Sequence, residues 1–200
     1  MEKSSKKNLF TLTKTFKKIT TTTKTKTTKN LLSMKKIIFN TSGNNVAATI
    51  TRTALGIVLF AHGAQKLLGW YSGYGFDGTM SYFTQTVGLP WIVGFLVIVI
   101  EFFGSLSLIL GLATRLWSLA IFFLAIGIMQ TTHADYGFFM NWFGNQKGEG
   151  IEYFLLMLGL AASLVFSGAG KFSLDALILN KKQDRSYSEL SLTEEDAIPG

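Results

Sequence analysis

Four apolar runs of similar length constrain this chain more than any other feature. Val46 to Gly69, Pro90 to Gly111, Arg115 to Thr132 and Ile151 to Gly168 each hold roughly the 17–25 residues that carry a helix across a hydrocarbon core of about 30 Å. From Trp91 to Ile100 the second run has no polar side chain at all, so it lacks the polar stripe with which a soluble amphipathic helix meets water. Twenty glycines against two prolines suit helices whose backbones approach closely inside a bilayer. The expectation is an all-α fold, an integral membrane four-helix bundle with four transmembrane helices.

The net charge of +7 points towards an anionic partner only until its location is considered. Residues 1–45 carry eleven lysines and a single acid, Glu2, leaving the rest of the chain net acidic. Beyond that stretch, Arg115, Lys171, Lys181, Lys182 and Arg185 hold five of the remaining eight positive charges. The loop from Trp70 to Leu89 has none, and the loop from His133 to Gly150 has only Lys147. By the positive-inside rule both termini of this multi-pass chain face the cytoplasm and these two loops lie outside.

Three regions follow. Residues 1–45 form a Lys/Thr-rich extension with a Thr20–Thr23 run, a composition that favours disorder, although Leu9, Leu12, Phe16 and Ile19 recur at helical spacing as a surface-seeking helix would. Met34 opens a second plausible start, Met-Lys-Lys-Ile-Ile-Phe, that would remove nine lysines and Glu2. Residues 46–179 form the membrane domain, with Ser173 capping a short interfacial helix. Residues 180–200 are a polar, acidic tail. A weak internal repeat is also present: Arg52 and Arg115 each open a span, and Glu101-Phe102-Phe103 is echoed by Glu152-Tyr153-Phe154.

Zero cysteines remove disulfides, thiol relays, iron–sulfur clusters and thiolate zinc sites. A Walker-type phosphate loop and the Gly-x-Ser-x-Gly elbow are missing, and the basic extension lacks the interleaved aromatics of a single-strand binder, so no nucleic-acid partner is expected. What stands out instead is a short set of ionisable residues within the spans, where they are costly and usually face a bundle interior or cavity. His62 lies roughly 10 Å from the outer end of the first span, Lys66 one turn further out on the same face, and Glu101 roughly 16 Å below the outer surface. Glu101 must be protonated, paired or hydrogen-bonded there, with Lys66 and His62 the nearest cations in depth. His62, Lys66 and Glu101 are therefore the catalytic candidates, and His62, Gln65, His133 and Glu152 the cofactor-binding ones. Arg52 and Arg115 read as inner-leaflet anchors. Haem between His62 and His133 and a metal among His62, His133, Glu149 and Glu152 are chemically conceivable, but neither is the expectation. The aromatic outer loops read as an interfacial belt, or more sharply as a lid over a site.

A set of ordered motifs resembles one family. Arg52 with Gly56, Phe60-Ala61-His62-Gly63-Ala64-Gln65-Lys66-Leu67, Tyr82-Phe83 before Gly88-Leu89-Pro90, Glu101 with Gly104, Leu110 to Arg115, Gly148-Glu149 through Glu152, and Gly168-Ala169-Gly170 with Ser173-Leu174-Asp175 look together like the DoxX family of small bacterial membrane proteins. The likeness runs from about Thr51 to Leu177. It implies a four-helix inner-membrane protein, and some relatives are subunits associated with terminal quinol or thiosulfate:quinone oxidoreductases. His62, Lys66, Glu101, Glu152 and Asp175 fall at the family's polar positions, which carry no settled catalytic role. Related four-helix oxidoreductases use cysteine pairs, which this chain lacks.

The expected function is an accessory or quinone-facing subunit of a membrane oxidoreductase complex, with the lipid bilayer and redox-complex subunits as partners and quinone favoured over haem as the cofactor. The alternatives are a small solute or proton transporter or channel, and a structural membrane partner without catalysis.

Overall fold

The computed structural model describes residues 44–178. Apart from Asn44 and Asn45, the expected N-terminal extension, its Met34 start and the tail over 180–200 lie outside the described residues.

The described residues are helical throughout, with no strand among them. Helix α1 spans Val46–Leu68. The Asn45 side chain accepts from the Ala48 amide at 3.0 Å, satisfying one of the free donors at the helix start, and Gly69 ends the helix in a left-handed turn. A shorter helix, α2, covers Gly75–Ser81 and continues as a π-helical turn over Tyr82–Thr86. Helix α3 occupies Trp91–Leu110 directly after Pro90 and contains a second π turn at Ile100–Gly104. After a tight turn α4 runs over Thr114–Tyr136, with a third π turn at Met129–His133 and a closing 3₁₀ turn. Helix α5 covers Glu152–Ser167, and residues 174–178 form a last helical turn.

α1, α3 and α4 are long and apolar enough to cross a membrane. The fourth run differs from expectation in length. α5 has 16 residues, about 24 Å at 1.5 Å per residue, because glycine-rich segments replace helix at either end. It nonetheless runs between the same two ends as its neighbours. At its start Glu152 donates its amide to Phe138 O at 2.9 Å, and just past its end Lys171 donates to Asn45 O, at the start of α1, at 3.2 Å.

The core lies where α1, α3, α4 and α5 meet, with Leu59, Leu108, Ile121, Ala125, Met157 and Leu164 buried together. Large apolar side chains also cover the outside: Ile57, Phe123, Leu156 and Phe166 are exposed, a surface stable against lipid and unstable against water. Two glycines one heptad apart set the α1–α3 spacing. A Cβ on Gly63 would stand 2.6 Å from the Phe102 amide nitrogen, and one on Gly56 3.0 Å from Ser105 O. Only bare backbone lets α1 approach the π turn of α3 so closely.

Arg52 departs from the sequence expectation of a leaflet anchor. It is 2% exposed, and its guanidinium donates to Ala169 O and Leu108 O at 2.8 Å, to Phe172 O at 2.7 Å and to Ile109 O. Leu108 and Ile109 belong to the last turn of α3, where carbonyls lack helical partners and the dipole favours a cation. Asp175 completes this end by accepting from the Ala113 and Thr114 amides at 2.7 and 3.0 Å, which caps α4 and holds Ala113 in its left-handed conformation (φ 48°).

Candidate functional site

At the end of the bundle opposite Arg52, a cavity of about 400 Å³ opens among α1, α3, α4, α5 and the two long loops. Its deepest polar feature is an ion pair, Lys66 Nζ to Glu101 Oε2 at 2.6 Å. The Glu101 side chain is 4% exposed, whereas Lys66 is 24% exposed, so the ammonium presents its remaining donors to the cavity. Burial of this kind is tolerated when opposite charges are bonded, and it is severely destabilising when one is left alone.

Why Glu101 points here is a matter of backbone. The π turn at Ile100–Gly104 inserts one extra residue into α3, which shifts the angular register of the side chains that follow. The other two π turns lie at the same cavity: Tyr82 and Phe83 come from one, Thr131, Thr132 and His133 from the other. All three π turns among the described residues therefore supply lining side chains to a single site. Such turns are frequent at functional sites because they trade regular hydrogen bonding for side-chain placement.

His62 faces the cavity one turn below Lys66 on α1 and sits beside Tyr153, with ring centroids 6.4 Å apart. His133 is the last residue of the third π turn. Its Nδ1 hydrogen-bonds Glu149 O at 2.8 Å and its ring lies 4.5 Å from that of Phe154. The rest of the lining is largely apolar, including Leu59, Phe83, Val97, Leu124 and Met157.

The structure thus brings His62, Lys66, Glu101 and His133 together and leaves two other candidates aside. Gln65 Nε2 donates to Tyr71 O at 3.4 Å in the first loop, and Glu152 Oε1 accepts from Trp142 Nε1 at 3.4 Å in the second; neither lines the cavity. Glu149 lines it while accepting from the Asn141 amide at 2.6 Å. Among the described residues, no three His, Asp or Glu side chains are grouped so as to hold a metal ion. Tyr153, Thr131, Thr132 and Met140 were not anticipated. Tyr153 had a signal, since Tyr153, Phe154 and Met157 recur at the i, i+1, i+4 spacing of one α5 face. The loop aromatics divide: Tyr82 and Phe83 line the cavity, while Tyr74, Trp142 and Phe143 are 76–88% exposed.

The DoxX family profile matches residues 47–134, which include His62, Lys66, Glu101 and His133. The chain is also similar to a protein of Bacillus subtilis (strain 168) named "Putative oxidoreductase CatD", at 25% identity over 143 residues, or 72% of this chain and 95% of that protein. No solved structure matches the chain. The matched stretch carries the buried Arg52, the close contact at Gly63, the Lys66–Glu101 pair and all three π turns, and the chain is accordingly a DoxX family membrane protein.

Proposed function

We propose that this protein is a quinone-facing subunit of an oxidoreductase complex in the bacterial inner membrane, with four spans and both termini in the cytoplasm. The observation that carries the reading is the convergence of three π turns on an apolar cavity whose floor holds the Lys66–Glu101 pair. A volume of about 400 Å³ suits one ring-sized ligand, and a few donors set among apolar walls is the composition that binds such molecules. Lys66, His62 and Tyr153 are the groups able to donate to quinone oxygens. Quinone reduction takes up two electrons and two protons; in this reading a partner subunit supplies the electrons, while Lys66 and His62 hold protons beside the oxygens. The oxidoreductase name carried by the Bacillus relative is consistent with it.

The cavity is blind towards the opposite end, where Leu55, Leu108, Ile121 and Leu164 are 0–4% exposed. That favours a binding pocket over a transport conduit. For topology, α5 begins at the loop that lines the cavity and ends near Arg52, which supports reading it as a fourth span.

Protein purified in mild detergent is expected to carry quinone, read by absorbance and mass spectrometry, and to bind added quinone with a change in tryptophan fluorescence. A protein that neither retains nor binds quinone overturns the proposal.

A further inference from the structure

The cavity has walls of two origins. Tyr82, Phe83, Val87 and Leu89 come from the segment joining α1 to α3; Ile128, Thr131 and Thr132 come from the far end of α4. Each wall leans on different neighbours. α2 and its π turn pack on α1 and α3, whereas α4 packs along α5. Its third π turn is tied to the second loop through His133 and Glu149. α2 and its π turn make little or no close backbone contact with α4, so helix packing does not join the two walls that border this space.

The chemistry of the rim indicates what passes between these walls. Phe83, Val87, Leu89 and Ile128 present only carbon, Tyr82 adds a phenol, and the Thr131 and Thr132 hydroxyls already donate to Gly127 O and Ile128 O; Lys66, Glu101 and Glu149 lie on α1, α3 and the second loop, and His133 follows the second wall at the end of α4. A water-borne polar solute would exchange solvation for an apolar threshold, at a cost set by each unpaired polar group. A lipid-dissolved molecule meets no such cost.

We infer that the cavity is loaded sideways from the membrane between Tyr82–Val87 and Ile128–Thr132, and that its ligand is a lipid-soluble molecule whose small oxygen-bearing head reaches Lys66 and Glu101 while an apolar tail remains in the opening. As to ligand class the inference rests on the quinone reading; as to the route it does not. The tail exchanges lipid contacts for contacts with the rim, so what it adds is packing and not removal from water.

Because the chain has no cysteine, single Phe83→Cys and Ile128→Cys variants in nanodiscs can each carry one bimane fluorophore, with Phe143→Cys in the exposed loop as the reference. Lipids bearing a nitroxide high on the acyl chain are expected to quench the first two more than aqueous iodide does, and iodide to quench the reference more. Quenching of the Phe83 and Ile128 labels by iodide alone overturns the side route. In a second arm, Val87→Trp narrows the opening. It is expected to weaken decylubiquinone binding about tenfold more than that of tail-less dimethoxy-methyl-benzoquinone, a difference of about 1.4 kcal/mol; equal weakening overturns the tail placement. Should neither quinone bind the unaltered protein while lipid quenching persists, the quinone reading falls and the side route stands.

Discussion

Lys66 and Glu101 form a bonded pair of opposite charges with little water, and that arrangement makes single substitutions harsher than double ones. Lys66→Met leaves a buried carboxylate without its cation, for which a loss of about 3–5 kcal/mol is expected. Lys66→Met combined with Glu101→Leu removes both charges. It is expected to recover most of that stability in detergent melts while losing ligand binding. A double variant as unstable as the single ones would show that the pair is not the source of the loss. Asp175 behaves differently, since burial pushes its carboxyl above the ordinary range while the Thr114 and Ala113 hydrogen bonds and the Arg52 charge oppose that rise. A raised value means that the folded state binds the proton more tightly than the unfolded one, so the contribution of Asp175 to stability is full at low pH and falls as pH rises through the folded value. The melting temperature of the unaltered protein relative to Asp175→Asn is therefore expected to increase from pH 7 towards pH 4. Part of this was legible in the sequence: depth along each span made Lys66 and His62 the cations nearest to Glu101 because helical rise is fixed. The partners of Arg52 were not, because all four are backbone carbonyls, which any residue type provides.

The elements themselves were placed by length and hydropathy, and α1, α3 and α4 fall within a few residues of their apolar runs. The π turns left no such mark. An extra residue in a helix changes angular register without changing composition, so Ile100–Gly104 and Met129–His133 gave no sign within or at the end of their spans, Tyr82–Thr86 read as part of the loop from Trp70 to Leu89, and the common side of the bundle could not be derived. Gly63 was visible as a member of the Phe60–Leu67 motif, but not as a helix contact. Its role depends on which helix faces it, and the observed neighbour is the backbone of Glu101 and Phe102. Gly63→Ala is expected to push α1 from the π turn, at a cost of about 1–3 kcal/mol for overpacking, and to separate Lys66 from Glu101. Thermal melting together with quinone titration checks both effects. Gly159→Ala, where no atom lies within 4 Å of the added carbon, serves as the control and is expected to be neutral or slightly stabilising through helix propensity.

For the molecule as a whole, one end is held by backbone hydrogen bonds to Arg52 and Asp175, and the other is opened by the cavity and its loops. This asymmetry predicts topology. With single cysteines at Tyr74, Phe143 and Asn44, a membrane-impermeant thiol reagent applied outside intact cells is expected to label the first two and spare the third; labelling of Tyr74 and Phe143 on opposite sides would refute four spans. The Arg52 clasp also bears on the order of synthesis. α1 is made first and carries a guanidinium whose acceptors lie at positions 108 and 109, then at 169 and 172. Until translation passes the end of α5, that charge sits in a half-built bundle with part of its coordination missing. The coordination of this early-made charge is thus complete only once α5 and the segment that follows it have been synthesised.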